Sequence, residues 1–316
     1  MSKIAGFCRN AFHHLENYFS FVLLFLLALF PVMEIIARSF FRTGVPSSTE
    51  YIQHIVLWIT FVGGMITSRE GKHLSVSIGI DSLKGIPKNI ASAVTAFIAS
   101  STMVSIALCT LSMVFIGFDP EIKVGIFPIR LITIIMPIGY LFIAIRFITR
   151  IEEKAIQYVS ATGILVGTVF SIQSIINLLM AFDCRIPQFF DSAAIAIGSF
   201  LPHIAAPVVV LIIIAAFFGM PIFITLGGIA YYLFARSGGS LEVIPNEAYV
   251  MLISHSIPAI PLFTLAGFIL SESKAGERLV NLFKAWFGWL PGGMAIMAIL
   301  VCTFFTTFTG ASGVTI

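Results

Sequence analysis

The sequence predicts an all-α, polytopic membrane protein of about eight transmembrane helices, with one interfacial amphipathic helix and the first limb of a re-entrant hairpin. Two observations support this fold class. First, 58% of the 316 residues are hydrophobic and only 10% are charged, which leaves too little polar surface to cover a water-soluble globule. Second, the apolar residues fall into runs of about 20, the length that a helix needs to cross a bilayer.

The first five predicted spans are separated by short segments that contain charges, glycine or proline. They cover about 17–37, 51–68, 91–116, 127–147 and 159–182. The next charge-free stretch, 192–235, is too long for one helix, and Gly219-Met220-Pro221 breaks it into two. A further span at about 248–270 is interrupted near two prolines, and a last apolar run begins at Pro291-Gly292-Gly293. This last run is the incomplete element.

Residues 274–287 carry too many charges to cross a membrane, yet they have the pattern of an amphipathic helix. The apolar stripe of this helix consists of Leu279, Leu282, Phe283, Trp286 and Phe287. Polar residues lie on the opposite side, so the pattern predicts a helix lying in the cytoplasmic interface. An ordinary amphipathic linker packed on protein is the alternative interpretation.

The distribution of charge predicts the orientation and argues against several partners. With the N-terminus inside, 12 Lys and Arg residues lie on the inner side and 6 on the outer side, so the positive-inside rule favours a cytoplasmic N-terminus. The net charge of +3 is scattered between apolar runs, which argues against nucleic acid as a partner. The four cysteines have no C-x-x-C spacing, and we predict neither a disulfide framework nor a metal site.

Ionisable residues inside the apolar runs are functional candidates, because each is costly at the bilayer centre. Glu34 and Arg38 have i, i+4 spacing at the outer end of the first span, which predicts an interfacial ion pair. His54, His203 and His255 have no partner at metal-ligand spacing, so we expect neutral imidazoles that bond neighbouring helices. The chain has no H-E-x-x-H, G-x-S-x-G or P-loop motif and no paired membrane carboxylates, so we predict that it is not an enzyme.

The end of the last apolar run is the strongest candidate site. Gly310 and Gly313 permit a turn there, and six hydroxyl residues lie within thirteen positions: Thr303, Thr306, Thr307, Thr309, Ser312 and Thr315. In membrane transporters, half-helix ends and unwound backbone of this kind bind anionic groups and Na⁺. The alternative is that the threonines bond their own i−4 carbonyls and pack against neighbouring helices.

Motifs in two parts of the chain resemble the membrane components of tripartite ATP-independent periplasmic (TRAP) transporters. Small-subunit-like motifs are Arg38-Ser39-Phe40-Phe41, Ser48-Thr49-Glu50, Trp58, Arg69-Glu70-Gly71-Lys72-His73-Leu74-Ser75-Val76 and Pro137-Ile138-Gly139. Large-subunit-like motifs are Gly219-Met220-Pro221, Ile260-Pro261-Leu262-Phe263-Thr264-Leu265-Ala266-Gly267, Glu277-Arg278-Leu279, Pro291-Gly292-Gly293 and Thr309-Gly310-Ala311-Ser312-Gly313. Their shared order and spacing make the resemblance specific.

The resemblance implies three parts. Residues 1–154 would be a small-subunit-like four-helix membrane domain, 155–195 a linker with an extra transmembrane helix, and 196–316 the N-terminal portion of a large-subunit-like transport domain. Topology requires the extra helix independently, because four helices return the chain to the cytoplasm while the large-subunit helices start outside. The implied function is Na⁺-driven secondary transport of an organic acid (carboxylate) across the bacterial inner membrane, by an elevator-type mechanism.

The resemblance also implies the site and the partners. By position in the motif, Gly310, Ser312 and Gly313 are expected to coordinate Na⁺, and Thr309 and Ser312 to lie near the substrate carboxylate. Na⁺ is the coupling ion, and neither another metal nor a cofactor is implied. The expected partners are a periplasmic substrate-binding protein, the remainder of the large subunit, the organic-acid substrate and the lipid bilayer.

Several alternatives stay open at this point. The chain has the features of a C-terminally incomplete large subunit, which a truncated sequence, an interrupted gene or a split transporter would explain. The alternative function is a non-transporting membrane anchor or assembly subunit, or an inactive fragment of such a transporter. The sequence does not specify which carboxylate is carried or the oligomeric state.

Overall fold

The computed structural model of the chain describes residues 2–75, 79, 83–149, 151, 153–289 and 291–309. The described backbone is almost entirely helical. Its sheet is a small hairpin, in which β1, Lys123–Val124, pairs antiparallel with β2, Phe127–Pro128. This architecture confirms the predicted all-α class.

The N-terminal half forms a bundle of long helices. Its helices are α1, Ser2–Ile36; α2, Ser48–Glu70; α3, Ile86–Ser112; α4, Ile129–Thr133; and α5, Ile135–Thr149. Short π-helical segments, Ala37–Phe41 and Met113–Gly117, extend α1 and α3.

The C-terminal half contains more breaks. Its helices are α6, Lys154–Phe170; α7, Ile172–Ala181; α8, Gln188–Phe217; α9, Ile222–Arg236; α10, Val243–Leu252; α11, Ala259–Glu272; α12, Ala275–Phe287; and α13, Gly293–Thr309. Helix α12 confirms the helix predicted for residues 274–287.

Five helical segments of the described chain are long and apolar enough to cross a membrane, so the protein is a multi-pass membrane protein. They are Ala11–Phe41, Ser48–Glu70, Ile86–Gly117, Ile129–Thr149 and Gln188–Phe217. The pair α6 and α7 is a sixth candidate, bent by 58° at its centre. The further predicted crossings correspond to shorter apolar helices, which include Ile222–Arg236 and Ala259–Leu270, and the predicted first limb of the hairpin contains the short apolar helix Gly293–Thr303.

Two hydrogen bonds accompany the bend between α6 and α7, which the sequence pattern did not predict. The Ser171 hydroxyl donates to the carbonyl of Gly167, four residues earlier, at 2.7 Å. Hydrogen bonding of this kind competes with the helical ladder and bends helices. The Phe170 carbonyl at the bend accepts a hydrogen bond from the Tyr231 hydroxyl of α9 at 3.1 Å, so the neighbouring helix supports the bent geometry.

The two predicted interruptions of the C-terminal half are confirmed. Helix α8 ends at Phe217 and α9 begins at Ile222, with Gly219 at a φ of 94° between them. That φ lies in the left-handed region, which glycine adopts without steric cost. The predicted span at 248–270 is likewise divided into α10 and α11, and α11 starts directly after Pro258.

Helix α3 is the centre of the bundle. In its most apolar window 72% of the residues are buried, against 11% for α1 and 22% for α8. Helix α3 packs against α5, α6 and α9, which come from different parts of the chain. It therefore joins the N-terminal and C-terminal halves, while α1 and α8 keep most of their surface exposed within this chain.

Candidate functional site

The predicted ion and substrate site lies at the end of α13. Thr309 is the last residue of this helix, and Gly310, Ser312 and Gly313 lie outside the described residues. The hydroxyl groups of Thr303 and Thr306 donate to the carbonyls of Ile299 and Cys302, both at 2.7 Å. These two threonines therefore bond carbonyls of their own helix, as the alternative interpretation of the sequence expected. The roles of Thr309, Gly310, Ser312 and Gly313 stay predictions.

Helix α12 precedes this site, and the apolar stripe of this helix is partly buried and partly exposed. Leu279, Phe283 and Phe287 are half-buried, while Leu282 and Trp286 are 46% and 62% exposed. The helix packs against α11 and α13. The helix is therefore partly packed against protein, and its position in the cytoplasmic interface stays a prediction.

The small-subunit-like motif after α2 contacts the large-subunit-like motif before α9. Ser75 and Pro221 form an isolated antiparallel bridge, and the Ile222 N–H donates to the Leu74 carbonyl at 3.0 Å. Met220 is completely buried at this junction. The sequence identified the two motifs separately, and the fold shows that they hold the two halves of the chain together.

A second polar junction joins α2 to α10 and the following loop. His54 Nδ1 lies 2.8 Å from the Glu50 carbonyl oxygen, so Nδ1 carries the proton and Nε2 accepts a hydrogen bond from the Tyr249 hydroxyl at 3.0 Å. Gln53 Nε2 donates to His255 Nδ1 at 3.1 Å. His54 and His255 thus bond neighbouring elements as expected.

His203 differs from the other two histidines. Its Nδ1 lies 2.9 Å from the carbonyl of Ser199, in its own helix α8. Among the residues that the structure describes, no group of three or more His, Cys, Asp or Glu side chains could hold a metal ion.

Helix α6 packs closely on α3 through small residues. The Ser100 hydroxyl donates to the Ser160 carbonyl at 2.8 Å, and the Ser105 hydroxyl donates to the Gly167 carbonyl at 3.0 Å. A β-carbon at Gly167 would lie only 2.4 Å from the Ser101 carbonyl oxygen. Small residues that admit close backbone contact are typical of membrane helix interfaces. The predicted linker is therefore part of the packed structure.

A buried charge cluster joins α1, α2 and α5 at the end that we predict to be cytoplasmic. Arg69 Nη1 donates to Glu16 Oε2 at 3.1 Å, and Arg69 Nη2 donates to Asn17 Oδ1 at 2.8 Å. Arg146 donates to Glu16 Oε1 and to the Met65 carbonyl. The sequence did not predict this cluster. The ion pair that the sequence did predict, between Glu34 and Arg38, is confirmed, since Arg38 Nε lies 2.7 Å from Glu34 Oε1.

An apolar cavity of about 880 Å³ separates the N-terminal helices from α11. Its walls include Leu24, Val56 and Ile59 on one side and Leu265 and Phe268 on the other. Packing between the first two helices and α11 is therefore loose at this level, in contrast to the close packing of α3 on α6.

Comparison with known proteins assigns both halves of the chain to one family. Residues 27–157 match the DctQ component of the tripartite ATP-independent periplasmic transporters, and residues 192–315 match the DctM component. Between the two matches lie residues 158–191, which contain most of α6 and all of α7.

Three relatives illustrate the similarity. The isethionate TRAP transporter permease protein DctMQ of Oleidesulfovibrio alaskensis is 23% identical over 273 residues, which are 84% of this chain and 40% of that protein. The C4-dicarboxylate TRAP transporter large permease protein DctM of Vibrio cholerae is 31% identical over 100 residues, 31% of this chain and 22% of that protein. The ectoine TRAP transporter large permease protein TeaC of Halomonas elongata is 27% identical over 101 residues, 31% of this chain and 24% of that protein.

This chain spans 40% of the length of the DctMQ relative and less of the two large permease proteins. The relatives are transport permeases, in agreement with the prediction that the chain is not an enzyme. Both matched components and the junctions that join them occur in one polypeptide. The chain therefore belongs to the tripartite ATP-independent periplasmic transporter family, as a membrane component in which a DctQ part is fused to a DctM part.

Proposed function

We propose that the chain is the membrane part of a transporter that takes up a small organic acid across the bacterial inner membrane. The observation that carries this proposal is the presence of a DctQ part and a DctM part in one packed chain. The relatives are named for isethionate, C4-dicarboxylates and ectoine, so the shared feature is a small polar molecule with an acidic group. We therefore keep the substrate class at organic acids.

Sodium is the proposed coupling ion, with Gly310, Ser312 and Gly313 as its ligands and Thr309 and Ser312 near the substrate carboxylate. Carbonyl and hydroxyl oxygens suit a hard monovalent cation, and helix termini at membrane depth bind such ions and anionic groups. The described helix α13 extends to Thr309, and Gly310, Ser312 and Gly313 follow it in the sequence. A site of this kind needs a second half, so the proposal includes the remainder of the DctM component as a partner.

An elevator-type movement of the DctM part against a fixed DctQ part is the proposed mechanism. The charge cluster around Glu16 ties α1, α2 and α5 into a rigid unit, which suits a scaffold. The apolar cavity beside α11 provides space into which this helix can move. The half-exposed stripe of α12 suits a helix that slides along the membrane interface.

A periplasmic substrate-binding protein is the proposed source of the substrate, and the N-terminus is proposed to be cytoplasmic. The excess of Lys and Arg on one side supports this orientation. The loops between α3 and α5 and between α9 and α10 then face the periplasm. We use the term assembled transporter for this chain together with the remainder of the DctM component, in the membrane.

The test is Na⁺-dependent uptake by the assembled transporter in proteoliposomes, with its cognate binding protein and candidate organic acids. Ser312→Ala is expected to weaken Na⁺ activation of uptake by about tenfold or more, because it removes one oxygen ligand. Thr303→Ala is the matched control, since Thr303 donates to a carbonyl of its own helix. Equal Na⁺ affinity and uptake for Ser312→Ala and the wild type would contradict the assignment of the site.

A further inference from the structure

The carboxylate of Glu242 connects three parts of the chain. Its Oε1 accepts hydrogen bonds from Ser112 Oγ at 3.0 Å and from Asn177 Nδ2 at 3.1 Å. Its Oε2 accepts a hydrogen bond from Ser240 Oγ at 2.6 Å. Ser112 ends α3 in the DctQ part, Asn177 lies in α7, and Ser240 lies in the loop before α10 of the DctM part. The carboxylate is therefore held in a fixed position where the three parts meet.

Two cavities meet at this carboxylate. One has a volume of about 600 Å³ and the other about 310 Å³, and Asn177, Ser240 and Glu242 line both of them. The walls of the larger cavity also include Met113 and Met180. We call the larger cavity the Glu242 pocket. It combines a carboxylate on its wall with apolar surface around it.

The charge of Glu242 has no counterion among the described residues. Its three side-chain donors are neutral, and the ion pairs that form in the described part of the chain do not include it. Burial raises the pKa of the Glu242 carboxyl, but hydrogen bonds from Ser240 and Asn177 oppose this effect, and the pKa lies below its ordinary value. A partly buried anion without a counterion favours the binding of a cation.

The outer end as a whole has a small excess of acidic over basic residues. In the predicted orientation it carries eight acidic and six basic residues, whereas the inner end has an excess of basic residues. The acidic residues are Glu34, Glu50, Asp119, Glu121, Asp183, Asp191, Glu242 and Glu247. A negative surface attracts a positively charged partner and increases the rate of encounter.

We propose that the Glu242 pocket receives a lysine or arginine side chain of the periplasmic binding protein when that protein docks. This inference rests on the proposed function, because it needs the outer orientation and that partner. The apolar walls suit the methylene stem of a basic side chain, and the carboxylate pairs with the charged head. A bare metal ion fits less well, since the groups around Glu242 donate hydrogen bonds to it and the cavity is much larger than an ion.

The first test measures binding of the substrate-loaded cognate binding protein to the assembled transporter in nanodiscs. Glu242→Gln is expected to weaken binding by about tenfold or more, because it removes the charge and keeps the shape of the side chain. Glu247→Gln is the matched control, since Glu247 is an exposed carboxylate of α10, the helix that begins directly after Glu242, and does not line the pocket. Equal binding by the two variants would overturn the proposal.

A second pair of variants tests the pocket without changing the hydrogen bonds of Glu242. Val243 lines the pocket and is 36% exposed. Val243→Arg is expected to weaken docking by repelling the incoming basic side chain, and Val243→Glu is expected to keep or strengthen it. Equal effects of these two changes would show that docking does not depend on the charge in the pocket. This result would overturn the proposal even if Glu242→Gln did not fold.

Uptake by the wild-type assembled transporter separates this proposal from the proposed function. If uptake requires the binding protein but none of the charge changes alters docking, the docking pocket alone is wrong. If the wild type shows no uptake that depends on a binding protein, the proposed function is wrong. A Val243→Cys variant in a cysteine-free background adds a direct readout, since the binding protein should protect this cysteine from a membrane-impermeant maleimide. Labelling that the binding protein does not reduce would count against docking at this pocket.

Discussion

Replacing Glu16 by glutamine is expected to destabilise the DctQ part strongly. The Glu16 side chain is 6% exposed, and its two partners, Arg69 and Arg146, are 17% and 12% exposed. Removing one partner of a buried ion pair costs about 3–5 kcal/mol, because the other charge is left buried without compensation. Here the arginines keep some hydrogen bonds, Arg69 to Asn17 and Arg146 to the Met65 carbonyl. We therefore expect the lower end of this range, about 3 kcal/mol.

The assay is thermal unfolding of the purified chain in detergent micelles, followed by tryptophan fluorescence. Trp58 reports on the region of interest, because its indole N–H donates to the Ile132 carbonyl at 3.0 Å between α2 and α4. A loss of about 3 kcal/mol corresponds to a decrease in Tm of roughly 5–10 °C for a protein of this size. Glu70→Gln is the matched control, since Glu70 is 40% exposed and also lies beside Arg69. It is expected to change the Tm much less.

A double variant measures the coupling between Glu16 and Arg146. If the cost of Glu16→Gln comes from an uncompensated buried charge, then Glu16→Gln combined with Arg146→Met should be less destabilising than the sum of the single changes. Additive effects, or a Tm for Glu16→Gln equal to that of Glu70→Gln, would refute the claim that this cluster is buried and coupled. The thermal midpoints must be compared at one scan rate, because unfolding of membrane proteins in detergent is often irreversible.

The remaining two predictions concern the junctions between the halves of the chain. Gly167→Leu is expected to cost about 1–3 kcal/mol of stability, because its β-carbon would lie 2.4 Å from the Ser101 carbonyl oxygen, whereas Gly198→Leu has open space and should be tolerated. Thermal unfolding of both variants checks this, and equal midpoints would contradict close packing of α6 on α3. Tyr249→Phe removes the hydroxyl that donates to His54 Nε2 and should cost about 1–3 kcal/mol, since the nitrogen is left buried without a donor. The same assay measures it, and an unchanged midpoint would mean that water or another group satisfies His54.

The helices of this fold could be predicted from the sequence because a membrane-spanning helix is specified by its own residues. A run of about 20 apolar residues needs only the bilayer as its partner, so it can be recognised without knowledge of the rest of the chain. The breaks before α9 and within 248–270 follow from proline and glycine, which act on their own backbone. The bend at Ser171 was missed because a single serine in an apolar run is also compatible with a straight helix.

The contacts between elements could not be predicted in the same way. Glu16 and Arg146 are separated by 130 positions, and so are Ser112 and Glu242. The helical period specifies which residues share a face, but it does not specify which other helix that face will meet. Motif resemblance identified the segments on either side of the DctQ and DctM junction, and only the fold showed that Leu74 and Ile222 bond each other there.

The segment between the two matched components shows how topology and packing are linked. In the predicted topology the DctQ part ends inside and the first DctM helix starts outside, so an additional crossing is required between them. A helix that only crossed the membrane would need nothing but apolar residues. Instead, Ser160 and Gly167 of α6 accept hydrogen bonds from α3, and Asn177 of α7 donates to Glu242, which lies between α9 and α10 of the DctM part. Because these groups bond to both components, the connecting helices also fix the distance between them. The proposed movement of the DctM part would therefore either carry α7 with it or break the bond between Asn177 and Glu242.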